Sequence, residues 1–226
     1  MILIDSDIIV YRCAFACKEE SLKTALLTTN RFIEDVIVFA DHDDCYYDKW
    51  RLFLTGKNNY RHEVAVTHPY KGNRTQPKPP KFKEIREHII KEWGAFVAEG
   101  QEADDAIAIE ATKLGDECIM ATVDKDFDQV PGWHFNFIKK LHYHISEADA
   151  TRFFYKQLLT GDATDNIFGL DRVGPKTAEK MLKDCTNEEE MYAVCAEAYD
   201  NYPRLLENAR LLWLRRKRNQ MWEPPL

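Results

Sequence analysis

The sequence has 226 residues, 45% of them hydrophobic and 31% charged, which is typical of a globular protein with a sizeable apolar core. Its net charge of −7 is unfavourable for a uniformly basic surface, although local clusters of basic residues are compatible with it. No apolar run is long enough to span a bilayer, and the acidic start lacks the pattern of a secretory signal. Six cysteines without CxxC pairs are expected to be mostly buried, reduced thiols, so we expect a cytoplasmic protein with no membrane partner.

Strands and helices are predicted to alternate over the first 145 residues. A strand at 1–4 precedes a helix at 8–16, and a second helix is expected at 30–41. A strand at 51–55 is followed by a polar, proline-containing segment at 57–80, which is predicted to be a long loop. The remaining predicted elements are helices at 81–93 and 103–114 and strands at 95–98, 117–123, 133–138 and 142–145. This alternation predicts an α/β fold with a central, mainly parallel sheet between helices.

A helical lobe is predicted to follow the α/β core. Ser146 is a suitable N-cap, and from there the chain is expected to be helical to its end, with an interruption at 161–175. We therefore predict a core at 1–145 and a lobe at 146–226. The last helix is expected at 205–218 and ends in four basic residues, which are typical partners of a helix dipole, with a DNA-backbone contact as the alternative.

Carboxylates follow three of the predicted strands. They are Asp5 after the first strand, Glu102, Asp104 and Asp105 after the strand at 95–98, and Asp124 and Asp126 after the strand at 117–123. Each acid alone is more simply explained as a helix cap, a dipole partner or a turn residue. Because the carboxyl ends of parallel strands share one edge, the three groups are expected to converge there. Glu102 and Asp105 are three residues apart, which predicts that their side chains share one helix face. Asp124 and Asp126 are two residues apart, so their side chains should point the same way if the strand continues.

Such an all-oxygen cluster suits a hard cation. Mg²⁺ and Mn²⁺ prefer oxygen ligands, whereas unneutralised carboxylates about 4 Å apart repel by roughly 4 kcal/mol at an effective dielectric constant near 20. Two such ions about 3.5–4 Å apart form the apparatus that directs water at a phosphodiester. The sequence therefore predicts a two-metal hydrolytic site at this edge of the sheet.

A second acidic block, "TGDATDNIFGLDRVGPKTAEKML" at 160–182, reads as helix, glycine-bearing turns and helix. Asp162 and Asp165 are three residues apart, and Gly174 and Pro175 precede Lys176 at the start of the next helix. Such a unit presents backbone N–H groups to a phosphate and reads no base, so it is typical of an element that grips a duplex backbone.

Four blocks in this order resemble the 5′-3′ exonuclease and flap endonuclease family, particularly its phage and bacterial members. They are "PYKGNR" (69–74), "EADD" (102–105), "TVDKDFDQV" (122–130), and "GDATDNIFGL" with "VGPKTAEKML" (161–182). The resemblance implies a PIN-like nuclease core, a helical arch at about 57–93 over the cleft, and a helix–three-turn–helix motif at about 153–183. It also implies two divalent metal ions, Mg²⁺ or Mn²⁺, and a K⁺ ion at the helix–three-turn–helix.

Residue roles are carried over by the same resemblance. It assigns Asp5, Glu102, Asp104 and Asp105 to the first metal region and Asp124, Asp126, Asp162 and Asp165 to the second. Lys71 and Arg74 are expected to contact the scissile phosphate, and Tyr70 to stack on an unpaired base, a contact worth about 1–3 kcal/mol. Further expected DNA contacts are Lys125, Gly169, Val173, Gly174, Lys176 and Thr177.

One departure from the family pattern concerns the end of the second strand. The family commonly has an aspartate there, whereas "LTGKNNYR" at 54–61 contains no acid. Asp7 is an additional acid two residues after Asp5, and we expect it to compensate as a metal ligand.

The preferred function is a metal-dependent 5′ nuclease acting as a monomer on 5′ ends, flaps or nicks of DNA, and on RNA–DNA hybrids, in the cytoplasm (of the host, for a phage chain). One alternative is a catalytically weak protein that binds DNA junctions, which the missing second-strand acid favours. Another is a haloacid-dehalogenase-type phosphatase with Asp5 as nucleophile, although Ile8 and Ile9 stand where that family has a Thr or Val.

Overall fold

The structure, a computed structural model, describes residues 1–41 and 47–225. Cys45 and most of the acidic segment 41–48, which is expected to be a solvated turn, lie outside the described residues. The five described cysteines are free and buried, as predicted. Among the described residues, no helix combines the length and the apolarity needed to cross a membrane.

The core is a six-stranded sheet in the order β3-β2-β1-β4-β5-β6. The strands are β1 (Ile2–Asp5), β2 (Trp50–Thr55), β3 (Phe96–Ala98), β4 (Ile119–Ala121), β5 (Gly132–Asn136) and β6 (Leu141–Ile145). All neighbouring pairs are parallel except β5 and β6, which form an antiparallel hairpin. The predicted mainly parallel sheet is therefore confirmed, and β1 lies between β2 and β4.

Helices cover both faces of the sheet because successive strand residues point in opposite directions. Ile2 and Ile4 pack towards α1 (Ser6–Ala16), α2 (Leu22–Ala40) and α4 (Phe82–Trp93), whereas Leu3 packs towards α5 (Ala103–Leu114). Helix α2 begins eight residues before its predicted start, because Ser21 caps it by accepting a hydrogen bond from the Thr24 N–H.

The segment 57–93 differs from the expected helical arch. It consists of a single turn, α3 (Arg61–Val64), a non-helical loop at 65–81, and α4. Ile85 and Ile89 of α4 are fully buried in the core cluster. Helix α4 is therefore part of the core, and only the loop at 65–81 remains to cover the cleft.

The remaining helices surround an apolar cluster of their own. They are α6 (Glu147–Thr160), α7 (Pro175–Leu182), α8 (Glu188–Tyr199) and α9 (Tyr202–Leu212). A short hairpin, β7 (Gly161–Asp162) with β8 (Ile167–Phe168), connects α6 to α7. The predicted domain boundary at 145/146 falls just before α6.

Two local features depart from the predicted elements. Helix α9 ends at Leu212 rather than 218, and the chain then returns to the sheet, where Leu214 packs against the α5 side. Strand β4 ends at Ala121, and a 3₁₀ turn at Lys125–Gln129 replaces the expected extension.

Candidate active site

Three carboxylates from distant parts of the chain line one cavity at the carboxyl edge of the sheet. Asp5 ends β1, Asp104 lies in the first turn of α5 after β3, and Asp124 follows β4. They share a cavity of about 1190 Å³ with Asp7 and Glu102. The strand order brings these groups together, because β1 lies between β2 and β4 and the parallel strands end on the same side.

The acids in this cavity repel one another. Burial, together with the charges of Asp7 and Asp124, raises the pKa of Asp5 to about 7. Burial and the charges of Asp5 and Glu102 raise the pKa of Asp104 well above its usual range, and burial with the neighbouring aspartates raises that of Asp124. Asp5 Oδ1 is also buried without a hydrogen-bond partner among the described residues. A group of this kind gains from a bound cation.

The donor set fits a hard divalent cation. Its groups are carboxylates, and the unpartnered Asp5 Oδ1 supplies an oxygen in need of a positive charge. Across residues 1–41 and 47–225, however, no three ligating side chains are arranged so that they could hold one metal ion as they stand. The chemistry of the site therefore fits, while the final ligand geometry is not formed in this conformation.

The second group of acids lies beside the first. Burial and the charges of Asp124 and Asp162 raise the pKa of Asp126 to about 7. Lys125 Nζ lies 3.6 Å from Asp162 Oδ2 and 4.0 Å from Asp126 Oδ1. Gln157 donates to Asp126 Oδ1 at 2.8 Å. The shared direction expected for Asp124 and Asp126 required the strand to continue, and this condition is not met: the chain turns, and Asp124 Oδ1 accepts from the Asp126 N–H.

Two basic side chains of the loop at 65–81 contact Glu102 and Asp165. Lys71 Nζ lies 2.5 Å from Glu102 Oε1 and 3.7 Å from Asp165 Oδ2, and Arg74 Nη2 lies 2.6 Å from Asp165 Oδ1. Although burial opposes ionisation, Arg61 and Lys71 hold the pKa of Glu102 below its usual value. The Lys71 backbone is left-handed, with φ 55°, and its N–H donates to the Asp165 carbonyl. The loop is thus docked on the turn that carries Asp165.

The expected stacking of Tyr70 on a base is not compatible with this arrangement. Only 4% of its surface is exposed, and its ring packs in the apolar cluster of the C-terminal helices. Its hydroxyl donates a hydrogen bond towards Glu102 and Asp165, at 2.9 and 2.8 Å. Tyr70 therefore orients two acidic side chains rather than presenting a ring to the cleft.

Asp105 does not line the cavity. It is completely buried, and its carboxylate accepts from two Arg61 nitrogens and from the Arg215 N–H. It also accepts from the Glu102 N–H, which completes a capping box at the start of α5. The expected role of Asp105 as a metal ligand is therefore wrong for this conformation, since its oxygens already accept from these donors.

Sequence reasoning missed Arg61 and Arg215 as supports of the site. Arg61 is 1% exposed, and its guanidinium also donates to the carbonyls of Leu211 and Trp213. Arg215 lies 3.5 Å from the centre of the Tyr60 ring. A lone arginine gives no sequence signal of a partner 44 or 110 residues away.

Asp7 reaches the end of β2, where the acid is missing. Its Oδ2 accepts from the Thr55 N–H at 2.9 Å, and its Oδ1 lies 3.4 Å from Arg86. Arg86 also donates to the Thr55 carbonyl. Asp7 thus brings a carboxylate to the β2 side of the cavity, and this carboxylate is already paired with Arg86.

The residues expected to contact DNA from the lobe fall into two groups. Gly174, Lys176 and Thr177 are exposed around the start of α7. Val173 is partly buried against the lobe cluster. Gly169 is tightly packed on its Cα side, because a Cβ there would lie 2.4 Å from the Gly161 nitrogen, so this position requires glycine.

The sequence is similar to curated nucleases, although no family model matches it. It is 30% identical over 128 residues to flap endonuclease Xni of a Shewanella species, covering 50% of this chain and 48% of that protein. It is 30% identical over 161 residues to a 5′-3′ exonuclease of Buchnera aphidicola, covering 62% and 51%. The chain thus matches about half the length of these relatives.

The fold is similar to solved nuclease structures. The bacteriophage T5 flap endonuclease, in complex with DNA and metal ions, aligns with a TM-score of 0.70 at 18% identity, over 93% of this chain and 88% of that chain. The catalytic core of Rad2 in complex with DNA substrate aligns with a TM-score of 0.55 at 14% identity, over 92% and 72%. These two likenesses establish the architecture.

Proposed function

We propose that this chain, a relative in sequence and fold of the flap endonucleases and 5′-3′ exonucleases, is a divalent-metal-dependent 5′ nuclease. Its substrates are DNA 5′ ends, flaps or nicks, and RNA–DNA hybrids as a further class. One observation carries the proposal: Asp5, Asp104 and Asp124 meet at the sheet edge in a cavity that Lys71 and Arg74 also line. Carboxylates that can bind a cation and basic side chains that can bind a phosphate therefore line the same cleft.

The proposed cofactor is a pair of Mg²⁺ or Mn²⁺ ions, which supply an activated water and neutralise charge on the leaving oxygen. Asp5, Asp104 and Asp124 would hold the first ion, with Glu102 and Asp7 beside them. Asp124 is thereby moved from the second metal region, to which the resemblance assigned it, because it lines the same cavity as Asp5 and Asp104. Asp126, Asp162 and Asp165 would serve the second. The loop at 65–81, which carries Lys71 and Arg74, then has two roles. Lys71 and Arg74, which neutralise Glu102 and Asp165 here, are placed to hold a phosphodiester against the acids once the ions balance that charge.

The C-terminal helices are proposed to grip the duplex backbone beside the cleft. Gly174, Lys176 and Thr177 are exposed around the start of α7, and Lys125 is exposed between the two regions. A K⁺ ion at this helix–turn–helix unit, a monomeric state and a cytoplasmic location belong to the same proposal. Backbone contacts of this type carry no base specificity, so binding should depend on DNA structure and on salt.

The test is product mapping on a 5′-labelled flap duplex in Mg²⁺ and in EDTA, with wild type and Asp124→Ala. We expect short 5′ products from wild type in Mg²⁺, none in EDTA, and a loss of at least a hundredfold in the variant. Cleavage that persists in EDTA, or in Asp124→Ala at the wild-type rate, would overturn the proposal.

A junction-binding protein with weak catalysis is the second candidate, and Thr55 favours it. This residue ends β2 at the cavity, where the related nucleases commonly carry an acid, and its hydroxyl accepts from the Ala103 N–H. The same assay separates the two functions. Flap binding without product in Mg²⁺ or Mn²⁺ would favour the binder, and an aspartyl-phosphate at Asp5 would instead favour a phosphatase.

A further inference from the structure

A separate cavity of about 430 Å³ lies at the end of the sheet opposite the acids. Strand β2 runs from Trp50, which lines this cavity, to Thr55, which lines the acidic one, so about 17 Å of strand separates the two. We call the cavity the tryptophan pocket. Its walls come from α2, the start of β2 and α4, and they consist of Asn30, Glu34, Trp50, His88, Glu92 and Trp93.

Two indole rings supply the apolar part of the tryptophan pocket. The Trp93 N–H donates to Asn30 Oδ1 at 2.8 Å, and His88 Nε2 lies 2.7 Å from the same oxygen. Because an indole N–H only donates, these contacts fix the Trp93 ring and the Asn30 amide together. Trp50 is 47% exposed, whereas the other four tryptophans, all within the described part of the chain, are buried or half-buried. A large aromatic ring open to solvent inside a cavity is typical of a binding site.

The charges of the tryptophan pocket are negative and unpaired. Glu34 on α2 and Glu92 on α4 both line the cavity and are exposed. Within residues 1–41 and 47–225, neither carboxylate has a Lys, Arg or His within ion-pair distance. Glu87, by contrast, lies on α4 outside the pocket and pairs with Lys83 at 3.9 Å. Two helices thus bring carboxylates without counter-ions to the same pair of indole rings.

This combination of groups is complementary to an organic cation. Aromatic faces attract cations, and carboxylates pair with them. A guanidinium satisfies both better than an ammonium, because its plane stacks on an indole while its N–H groups pair with a carboxylate. We propose that the tryptophan pocket binds the guanidinium of an arginine side chain from a partner polypeptide, stacked on Trp50 and paired with Glu34 and Glu92.

The shape of the pocket favours one side chain as its occupant. Its volume is near the lower end of the range for small-ligand sites, about 300–1,000 Å³. Trp50, Glu34 and Glu92 are all exposed, so a head group enters from solvent while the backbone that carries it stays outside. A partner held here leaves the acidic cavity open, because the two sites lie at opposite ends of β2. The inference therefore adds an interaction site to the proposed nuclease and does not depend on that function.

The test follows the Trp50 indole N–H signal by NMR while N-acetyl-arginine N-methylamide is added. We expect a saturable shift with a Kd of about 1–10 mM, and no saturable shift with the citrulline analogue, which has a similar shape and no charge. Glu34→Gln with Glu92→Gln should weaken binding about tenfold. Trp50→Ala, followed at the Trp93 signal, should weaken it about fivefold, and Trp50→Phe should retain most of it.

Glu87→Gln is the matched control, because it removes one charge from α4 outside the pocket and should change the Kd less than twofold. The absence of a shift with the arginine compound, equal binding of the citrulline compound, or equal weakening in Glu87→Gln would overturn the pocket. Agmatine tests the source of the group: if this free guanidine binds and the blocked arginine does not, a polypeptide partner is overturned. Flap cleavage should be unchanged in every variant, so a failure here is distinguishable from a failure of the proposed nuclease.

Discussion

Arg61 donates hydrogen bonds to both oxygens of Asp105, at 2.5 and 3.0 Å, in an ion pair that is almost entirely shielded from solvent. The pair joins the start of α3 to the first turn of α5, which contains Asp104 and directly follows Glu102. Despite the cost of burying its charge, the carboxylates around Arg61 raise its pKa further above the usual range, so the guanidinium stays charged. The positions of Glu102 and Asp104 therefore depend on an ion pair outside the cavity.

Removing Arg61 is expected to be severely destabilising. Arg61→Met leaves the Asp105 carboxylate buried without its charged partner, which should lower the free energy of unfolding by about 3–5 kcal/mol in a urea titration. The double variant Arg61→Met with Asp105→Leu should recover part of that loss, because no unpaired charge remains. A double variant as unstable as the sum of the two single variants would show that the pair is not coupled.

Glu207 of α9 holds the start of the loop at 65–81 in place. Its carboxylate accepts from the Val66 N–H, the Thr67 N–H and the Thr67 hydroxyl, at 2.8, 2.8 and 2.5 Å. Glu207→Ala should lower the unfolding free energy by about 1–3 kcal/mol and accelerate amide exchange at Val66 and Thr67. Glu223→Ala is the control, since this exposed acid pairs with Arg210 at the surface and its loss should cost less than about 1 kcal/mol.

Neutralising Asp104 should stabilise the metal-free protein and reduce the stabilisation that added Mg²⁺ provides. At pH 8 the raised pKa of Asp104 means that its charge opposes folding, and Asp104→Asn removes that charge. We expect an increase in unfolding free energy on the order of 1 kcal/mol in EDTA, together with a smaller rise in Tm on adding Mg²⁺. Asp171→Asn, at an exposed site outside the cavity, should change neither quantity. An unchanged metal response in Asp104→Asn would remove Asp104 from the ligand set.

His134 should make stability depend on pH. Burial lowers its pKa from 6.5 to about 4, with Nε2–H donating to the Val130 carbonyl and the ring stacked on Tyr143. Between pH 4 and pH 6.5, His134 therefore binds a proton in the unfolded chain but not in the folded chain. The contribution of neutral His134 to the free energy of unfolding is fully present above pH 6.5 and is lost as the pH falls towards 4. Between pH 7 and pH 5 the free energy of unfolding should fall by about 2 kcal/mol for this reason.

The measurement is urea unfolding of His134→Gln and wild type at pH 7 and pH 5. The variant should lose less stability than wild type over this interval, by the same amount of about 2 kcal/mol. His68→Gln, an exposed histidine, should follow wild type. Parallel losses in His134→Gln and wild type would show that other groups cause the pH dependence.

The sequence predicted the sheet and the convergence of acids because both follow from short-range patterns. Apolar runs mark the strands, and acids that follow parallel strands must share an edge, which placed Asp5, Asp104 and Asp124 together. Glu102 and Asp105 both contact Arg61, but of these two acids it is Glu102 that lines the cavity. Which helix face would point to the cavity depends on Arg61 and could not be read from local spacing.

The errors have a common physical cause. The resemblance assigned Tyr70 to stack on an unpaired base, yet apolar contacts with the C-terminal helices bury its ring. The helix predicted at 205–218 ends early because Leu214 and Arg215 find partners on α5 and its first turn. Long-range contacts thus override local preference in both places.

The return of the chain after α9 has a consequence for biosynthesis. Arg61 bonds the carbonyls of Leu211 and Trp213, and Asp105 bonds the Arg215 amide, across separations of 150, 152 and 110 residues. A nascent chain on the ribosome cannot close these contacts until Arg215 has left the exit tunnel. The acidic pocket should consequently be completed late in synthesis, after the helices of the lobe have formed.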